Sequence, residues 1–482
     1  MNLIAEIAAR HPPGALAVIA GERQFTYAEL FAVANAVAAR LERAGLCTPG
    51  RCPRIGLRAP DGPGYIMLAM GILLAGGCLV PIPTELAPPE QLDIARTTAL
   101  DALILATDHT WPESLGAPLA GADEPVSWMA WRLVGVTPGF PEDEFQALNP
   151  AFIRFSSGTT GTSKGIVISH PALLERILAA NQGLGIGAGD RVLWLLPMAH
   201  HFAVSIVLYL YHGCVTVLED AALAEEMLAS AERHGATVIY GAPFHYAQLA
   251  GTPAGAGAWP TLRLAVSTAA ALSAVTAENF MRRFGKPLHQ GLGVIEVGLP
   301  ILNLSAAAGK PESIGRPQPG FEVRLVDDAG EPVARGEVGE LLLRGPGMLD
   351  AYLLPWQPAA TVLGDGWFAT GDLVAEDSDG DLFIRGRKKS LINVAGMKVF
   401  PEEVEAVLAT HPAVARCRVS AIDHPHFGQI PTAEVIPAHS PPPSPRALID
   451  FCRLHLAPHK IPARIAFVDA LPLTPSGKLR RG

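Results

Sequence analysis

Apolar residues in the first 150 positions fall into two kinds of run, which alternate along the chain. From residue 25 to residue 44 they recur at helical spacing behind Thr26, a residue type that suits a helix N-cap. Shorter and more continuous apolar runs at residues 54–57 and 102–106 predict buried strands. Because helices alternate with buried strands, the pattern predicts a doubly wound α/β layer.

A second series of the same kind follows residue 165 and predicts a second α/β layer. Its expected helices are at residues 171–181, 225–234 and 274–284, and its expected strands are at residues 191–196, 215–218, 236–240, 262–267 and around His289.

The pattern changes after residue 320. Residues 321–326 and 340–344 alternate between apolar and polar positions, and turn-forming residues separate such segments, which predicts a small antiparallel β barrel or twisted sheet. The last hundred residues predict a small α+β domain. Its expected helices are at residues 402–409 and 447–455, and its expected strand is at residues 414–422.

One apolar segment has two interpretations. Residues 65–83 carry no charge and are nearly long enough to span a bilayer. Gly76 and Gly77 divide the segment into a helix-length piece and a short β-like piece. We therefore expect a buried helix that leads into a buried strand, and no membrane span.

Composition and charge narrow the possible partners. The chain has 482 residues and a net charge of -9, and no Lys/Arg run exceeds a few residues, which argues against nucleic-acid binding. The six cysteines form no CxxC pair and fit reduced thiols in a chain of this size. The N-terminal residues lack the features of a signal peptide, so we expect a cytoplasmic protein.

The stretch SSGTTGTSKG, residues 156–165, is the strongest candidate for chemistry. Its glycines allow backbone N–H groups to approach an anion, its hydroxyls can donate to phosphate oxygens, and Lys164 adds positive charge. The spacing differs from the Walker loop, because the lysine leads into Gly165 and a β-branched run. We expect a strand, a polyphosphate-binding loop and a second strand; a surface hairpin without a ligand is the alternative.

Five further stretches follow in order along the chain. They are LPMAHHFAVSI at residues 196–206, GLGVIEVG at 291–298, WFATGDL at 367–373, GRKKSLINVAGMKVFPEEVE at 386–405 and LPLTPSGKLRR at 471–481. Together with the glycine-rich loop they resemble the ANL superfamily of adenylate-forming enzymes, which includes acyl- and aryl-CoA ligases, aryl-acid AMP ligases and adenylation domains. The resemblance implies an adenylating domain over residues 1–386 and a mobile C-terminal domain over residues 387–482.

The resemblance also implies roles for individual residues. Lys478, His200 and Glu296 would be catalytic. Lys478 and His200 would act at the reacting carboxylate and the α-phosphate, and Glu296 would also bind Mg²⁺. Lys389 would be the hinge. Leu292 and Ile295 depart from the family's aromatic residue and threonine. The implied ATP-binding residues are Ser156, Ser157, Gly158, Thr159, Thr160, Gly161, Thr162, Lys164, Gly291, Leu292, Gly293, Asp372 and Arg387.

The implied reaction has two halves. A carboxylate attacks ATP to give acyl-AMP and pyrophosphate, and the thiol of CoA or of phosphopantetheine then displaces AMP. Any carrier protein is expected to be a separate chain. The residues expected to line the acid pocket are His201, Phe202, Ala203, Ser205, Gly241, Ala269, Ile295 and Leu299.

Two positions narrow the expected acid. Ala203 stands where amino-acid-activating relatives carry an aspartate, so a buried ammonium would lack a partner. The segment TAAAL, residues 268–272, replaces a Gly-Gly-Ala-Pro stretch and adds methyl groups. We expect an aryl or a short to medium unsaturated acid. The alternatives are an amino-acid or fatty-acid adenylating enzyme, a degenerate adenylate-binding relative and a scaffold protein that binds no nucleotide.

Overall fold

The structure is a computed structural model. It describes residues 1–106, 116–122, 126–133, 138–155, 164–219, 223–253, 257–395 and 397–472. The described chain forms two compact units: the second contains residues 323–342 and the chain from residue 369 onward, and the first contains the remainder. The domain boundary between residues 386 and 387 stays a prediction.

The helices are α1 (Leu3–Arg10), α2 (Tyr27–Arg43), α3 (Pro63–Leu74), α4 (Pro88–Thr97), α5 (Glu142–Ala147), α6 (His170–Leu184), α7 (Met198–His201), α8 (Val207–His212), α9 (Ala224–His234), α10 (Pro243–Ala250), α11 (Ala274–Phe284), α12 (Ala359–Val362), α13 (Pro401–Ala409) and α14 (Pro445–His455). A π-helical turn covers Phe202–Ile206, and 3₁₀ turns cover Lys388–Ser390 and Pro458–Lys460.

The strands are β1 (Leu16–Ala20), β2 (Arg23–Thr26), β3 (Arg54–Arg58), β4 (Cys78–Pro81), β5 (Ala102–Ala106), β6 (Gly116–Ala122), β7 (Trp128–Leu133), β8 (Pro150–Phe155), β9 (Gly165–Ser169), β10 (Arg191–Trp194), β11 (Val215–Leu218), β12 (Val238–Gly241), β13 (Leu264–Ser267), β14 (Leu288–Val294), β15 (Gly298–Leu302), β16 (Arg316–Pro317), β17 (Glu322–Val326), β18 (Val338–Arg344), β19 (Ala351–Tyr352), β20 (Gln357–Pro358), β21 (Phe368–Glu376), β22 (Leu382–Arg387), β23 (Ile392–Val394), β24 (Met397–Val399), β25 (Val414–His424), β26 (Gly428–Pro437) and β27 (Arg464–Phe467).

The first unit contains two nine-stranded sheets of described strands. One has the order β16-β15-β14-β13-β12-β10-β11-β1-β2, and β10 to β14 are parallel to their neighbours except where β14 meets β15. The other has the order β20-β19-β9-β8-β4-β3-β5-β7-β6. The sequence prediction of two α/β layers is confirmed.

Helix α2 illustrates how local sequence sets an element's start. Thr26 caps the helix by accepting a hydrogen bond from the Glu29 N–H, while the Glu29 carboxylate accepts one from the Thr26 N–H. This reciprocal arrangement satisfies two donors that a helix N-terminus leaves free. The apolar face of α2 packs against α3, which is buried over most of its length.

The apolar segment at residues 65–83 divides as predicted. It contains most of helix α3, a turn at Gly76 and strand β4, whose four residues are buried. No described helix is long and apolar enough to cross a membrane.

The second unit is built mainly from two smaller sheets. Strands β17-β18-β21-β22 form a four-stranded sheet in the region predicted as a small antiparallel barrel or twisted sheet, and β21 and β22 pair in antiparallel orientation. Strands β24-β23-β26-β25, with β27 beside β26, form the other sheet. Helices α13 and α14 contribute buried residues to a core with this sheet, in agreement with the predicted α+β domain.

Candidate active site

Several predicted site residues of the first unit lie at or after the carboxyl ends of neighbouring parallel strands. His200 follows β10, Gly241 ends β12, Ala269 follows β13, and Gly291 lies on β14. The register places the ends of these strands in line, because Trp194 pairs with Tyr240 and Gly241 pairs with Ser267. The carboxyl edge of an open α/β sheet is where such folds bind their ligands.

The predicted phosphate loop joins the ends of an antiparallel strand pair. Phe155 at the end of β8 pairs with Gly165 at the start of β9, which confirms the two strands predicted on either side of the loop. Residues 156–163, which include Ser156, Ser157, Gly158, Thr159, Thr160, Gly161 and Thr162, lie outside the described residues, and so does Lys478.

His200 lies in the short helix α7 and has an acidic partner. Its Nε2 is 2.9 Å from Glu85 Oε1, and this hydrogen bond lowers the pKa of the Glu85 carboxyl group. The start of the helix is held by the Asp61 carboxylate, which accepts a hydrogen bond from the Met198 N–H at 2.9 Å. The imidazole therefore has a fixed partner as well as a fixed backbone.

The segment after His200 continues as a π-helical turn, a form that often marks functional sites. Phe202 is fully buried and its ring lies 5.9 Å from that of Tyr65. Ala203 and Ser205 are also buried, and the His201 ring meets the Trp194 ring edge-on at 5.8 Å. Three predicted pocket residues therefore share the π-helical turn, and His201 immediately precedes it.

A strained backbone follows β13. Ala269 has a φ angle of +73°, in the left-handed region that is unfavourable for residues with a Cβ atom. The preceding Thr268 is buried, and its N–H donates to the Gly241 carbonyl at 3.0 Å. This hydrogen bond joins the predicted pocket residue Gly241 to the backbone next to a second predicted pocket residue, Ala269.

Strand β14 and the turn after it carry the altered motif GLGVIEVG. Leu292 is half-buried and pairs with Ile301, while Leu299 is buried. Arg176 of α6 fixes the turn, because its guanidinium donates to the Ile295 carbonyl at 2.7 Å and to the Glu296 carbonyl at 3.4 Å. The backbone is held although Leu292 and Ile295 depart from the family pattern.

The Glu296 carboxylate and the Lys164 ammonium both contact Tyr352. The Tyr352 hydroxyl donates to Glu296 Oε1 at 3.0 Å, and Lys164 Nζ lies 4.3 Å from the centre of the Tyr352 ring. Burial and the neighbouring Glu296 raise the pKa of Tyr352 well above its ordinary value. The sequence analysis did not identify Tyr352 or Arg176, because nothing in their local sequence indicates these partners.

The second unit brings together two predicted ATP-binding residues, for which the resemblance implies contacts to the ribose. Asp372 on β21 pairs directly with Arg387 on β22, and Arg387 Nε lies 2.7 Å from Asp372 Oδ1. Asp372 is 4% exposed, whereas the Arg387 side chain is 56% exposed. Lys389 follows in the exposed 3₁₀ turn Lys388–Ser390.

Comparison with known proteins identifies the family of the chain. Residues 4–353 match the family model for the AMP-binding enzyme, and residues 403–478 match the model for the AMP-binding enzyme C-terminal domain. The chain is 30% identical over 487 residues to a feruloyl-CoA synthase from an Amycolatopsis species, an alignment that covers 98% of this chain and 96% of the relative.

Two further relatives extend the comparison. The fatty acid–[acyl-carrier-protein] ligase ScoC of Streptomyces coeruleorubidus is 31% identical over 489 residues, covering 98% of this chain and 93% of the relative. The structure of o-succinylbenzoate CoA synthetase (MenE) from Bacillus subtilis, in complex with its acyl-adenylate intermediate OSB-AMP, has a TM-score of 0.84 and 25% identity and covers 100% of this chain and 97% of that one. The chain therefore belongs to the AMP-binding enzymes of the ANL superfamily and is an AMP-forming acid–thiol ligase.

Proposed function

We propose that this ligase activates an aryl or a short to medium unsaturated carboxylic acid and transfers it to the thiol of CoA or of phosphopantetheine on a carrier protein. The observation that carries the choice of acid is Ala203, a buried methyl group in the π-helical turn beside His201. An α-amino acid would have to bury its ammonium group against this methyl, at a cost of several kcal/mol. The feruloyl-CoA synthase relative supports an aryl acid.

The first half-reaction uses the residues at the carboxyl edge of the sheet. The acid's carboxylate attacks the α-phosphorus of ATP, the bond to the β-phosphate breaks, and acyl-AMP and pyrophosphate are formed. His200 would orient the carboxylate and the α-phosphate, and Lys164 with the glycine-rich loop would hold the departing phosphates. Positioning and charge stabilisation supply most of the rate increase in such a reaction.

Glu296 is the residue proposed to hold Mg²⁺. Its carboxylate offers the hard oxygen ligand that this cation prefers, and it shares Tyr352 with the Lys164 ammonium. A bound Mg²⁺ would neutralise part of the negative charge of the polyphosphate. Asp372 and Arg387 would bind the ribose, and Lys478 would stabilise the charge that develops during adenylation.

In the second half-reaction the thiol attacks the acyl carbon and AMP leaves, which gives a thioester. The relatives include both types of acceptor, since one is a CoA synthase and another is a ligase of an acyl-carrier protein. CoA and phosphopantetheine present the same terminal thiol.

The test is pyrophosphate release from ATP across a panel of aryl, unsaturated, long-chain fatty and α-amino acids. We expect the fastest release with aryl or short to medium unsaturated acids. Release only with long-chain fatty acids or α-amino acids would contradict the proposal. Mass spectrometry of the products, with CoA and a phosphopantetheinylated carrier protein offered separately, then identifies the acceptor.

A further inference from the structure

Tyr352 occupies a distinctive place in the first unit. It lies on the short strand β19, which pairs with β9 in antiparallel orientation, and its register partner is Ile166. Lys164 is two residues before that partner, at the point where the chain leaves the glycine-rich loop. The strand pairing therefore holds the tyrosine beside the exit of the predicted phosphate loop.

The ring and the hydroxyl group of Tyr352 contact different partners. Lys164 Nζ lies over the ring, 4.3 Å from its centre, a distance that is favourable for a cation–π contact. The hydroxyl donates to Glu296 Oε1 at 3.0 Å. Tyr352 is 8% exposed, and its two partners Lys164 and Glu296 are half-buried.

The backbone around Glu296 is already fixed by other groups. The Glu296 carbonyl accepts hydrogen bonds from the Leu349 N–H at 2.7 Å and from Arg176 at 3.4 Å. Arg176 is itself held by the Gly347 carbonyl at 2.7 Å. With the main chain fixed, the remaining freedom of Glu296 lies in its side-chain torsions, and the Tyr352 hydroxyl restricts them.

We propose that Tyr352 is a positioning residue that orients the Glu296 carboxylate for Mg²⁺ and seats the Lys164 ammonium beside the phosphates. This inference rests on the proposed functions of Glu296 and Lys164. The tyrosine thereby couples the metal-binding carboxylate to the lysine of the phosphate loop, 132 positions earlier in the chain.

Two substitutions separate the two contacts. Tyr352→Phe removes only the hydroxyl and leaves the ring for Lys164, whereas Tyr352→Leu removes both. Tyr27→Phe is the matched control, because it deletes a buried hydroxyl that donates to the Leu210 carbonyl at 2.8 Å in another part of the unit. The control reports the effect of losing one buried hydrogen bond by itself.

The main measurement is the melting temperature of each variant with α,β-methylene-ATP, an analogue that cannot form the adenylate, during a Mg²⁺ titration. We expect Y352F to need about tenfold more Mg²⁺ for half-maximal stabilisation, as is typical when the partner of a metal ligand is lost. Its affinity for the analogue without Mg²⁺ should match wild type. Y352L should also bind the metal-free analogue about two- to fivefold more weakly, because the cation–π contact is gone.

Pyrophosphate release with the best acid is measured in parallel. A Y352F titration that coincides with those of wild type and Y27F would overturn the role of Tyr352, while wild-type pyrophosphate release would leave the proposed function intact. A wild-type protein without any Mg²⁺-dependent shift would overturn the role of Glu296 and this inference with it. If Y352L does not fold, Lys164→Met removes the ammonium of the same contact and should weaken binding of the metal-free analogue by more than the two- to fivefold expected for Y352L, because the charge that faces the phosphates is lost as well. Unchanged binding of the metal-free analogue by K164M would overturn the role of this contact.

Discussion

Ala269 shows how a single residue can retain strain at a candidate active site. Its φ of +73° costs a residue with a Cβ atom roughly 1–2 kcal/mol relative to an ordinary conformation. We expect Ala269→Gly to relieve this strain and, after the entropy cost of glycine, to raise the free energy of unfolding by up to about 1 kcal/mol. Denaturant unfolding of the purified variant is the measurement.

The neighbouring Ala270 provides the matched control for that substitution. It is exposed and does not have a positive φ, so Ala270→Gly should lower the free energy of unfolding by about 0.5–1 kcal/mol. If A269G were no more stable than A270G, the strain argument would be wrong. A wider range of accepted acids in A269G would further support a role for its methyl group in the pocket.

At the scale of elements, the packing of α2 against α3 depends on one glycine. A Cβ atom at Gly71 would lie 2.6 Å from Val37 Cβ and 2.9 Å from the Ala34 carbonyl oxygen. We expect Gly71→Ala to lower the free energy of unfolding by about 2–3 kcal/mol through overpacking, although alanine alone favours a helix by about 1 kcal/mol. Thermal or denaturant unfolding of the variant measures this cost.

Gly64 in the same helix is the control for Gly71. Its added methyl would meet only the two methyl groups of Val126, at 3.2 and 3.8 Å, and that side chain can accommodate it by a small shift. Gly64→Ala should therefore stay within about 1 kcal/mol of wild type. Equal costs for the two variants would show that the close helix contact at Gly71 does not govern the packing.

Elements with strong apolar patterns could be predicted from the sequence, and short or polar ones could not. Helix α3 and strand β4 follow from a continuous apolar run that glycines interrupt, and α2 follows from helical spacing behind Thr26. Strand β2 lies at the edge of its sheet and has the sequence RQFT. Because this sequence is short and mostly polar, it shows neither an alternating nor a continuous apolar pattern. Only pairing with β1 reveals it as a strand.

The site residues also divide into those that the sequence predicts and those that it does not, but for a different physical reason. His200 and Glu296 stand in motifs that can be recognised locally, whereas Tyr352 and Arg176 act through partners far along the chain. Tyr352 lies 56 residues from Glu296, and Arg176 lies 119 residues from the Ile295 carbonyl that it holds. Such contacts are created by the fold, so no local pattern could indicate them.

At the scale of the whole molecule, the candidate site residues belong to both compact units. His200 and Glu296 are in the first unit, while Asp372, Arg387 and Lys389 are in the second. The resemblance implies that Lys389 is a hinge, and we propose that rotation of the chain there withdraws Lys478 between the two half-reactions. Backbone freedom at residue 389 should then matter more than its side chain.

Lys389→Pro tests this requirement directly. Proline fixes φ near −65° and restricts the preceding residue, so rotation at this point should be impeded while the first half-reaction continues. We expect acyl-AMP formation within about threefold of wild type and thioester formation slowed by at least about tenfold, since about 1.4 kcal/mol added to a barrier already gives that factor. Rapid-quench measurement of both products in single turnovers separates the two steps.

Lys389→Ala is the control for this substitution. It removes the same exposed side chain but leaves the backbone free, so both half-reactions should remain near wild type. Equal rates of thioester formation in the two variants would show that the chain does not rotate at Lys389.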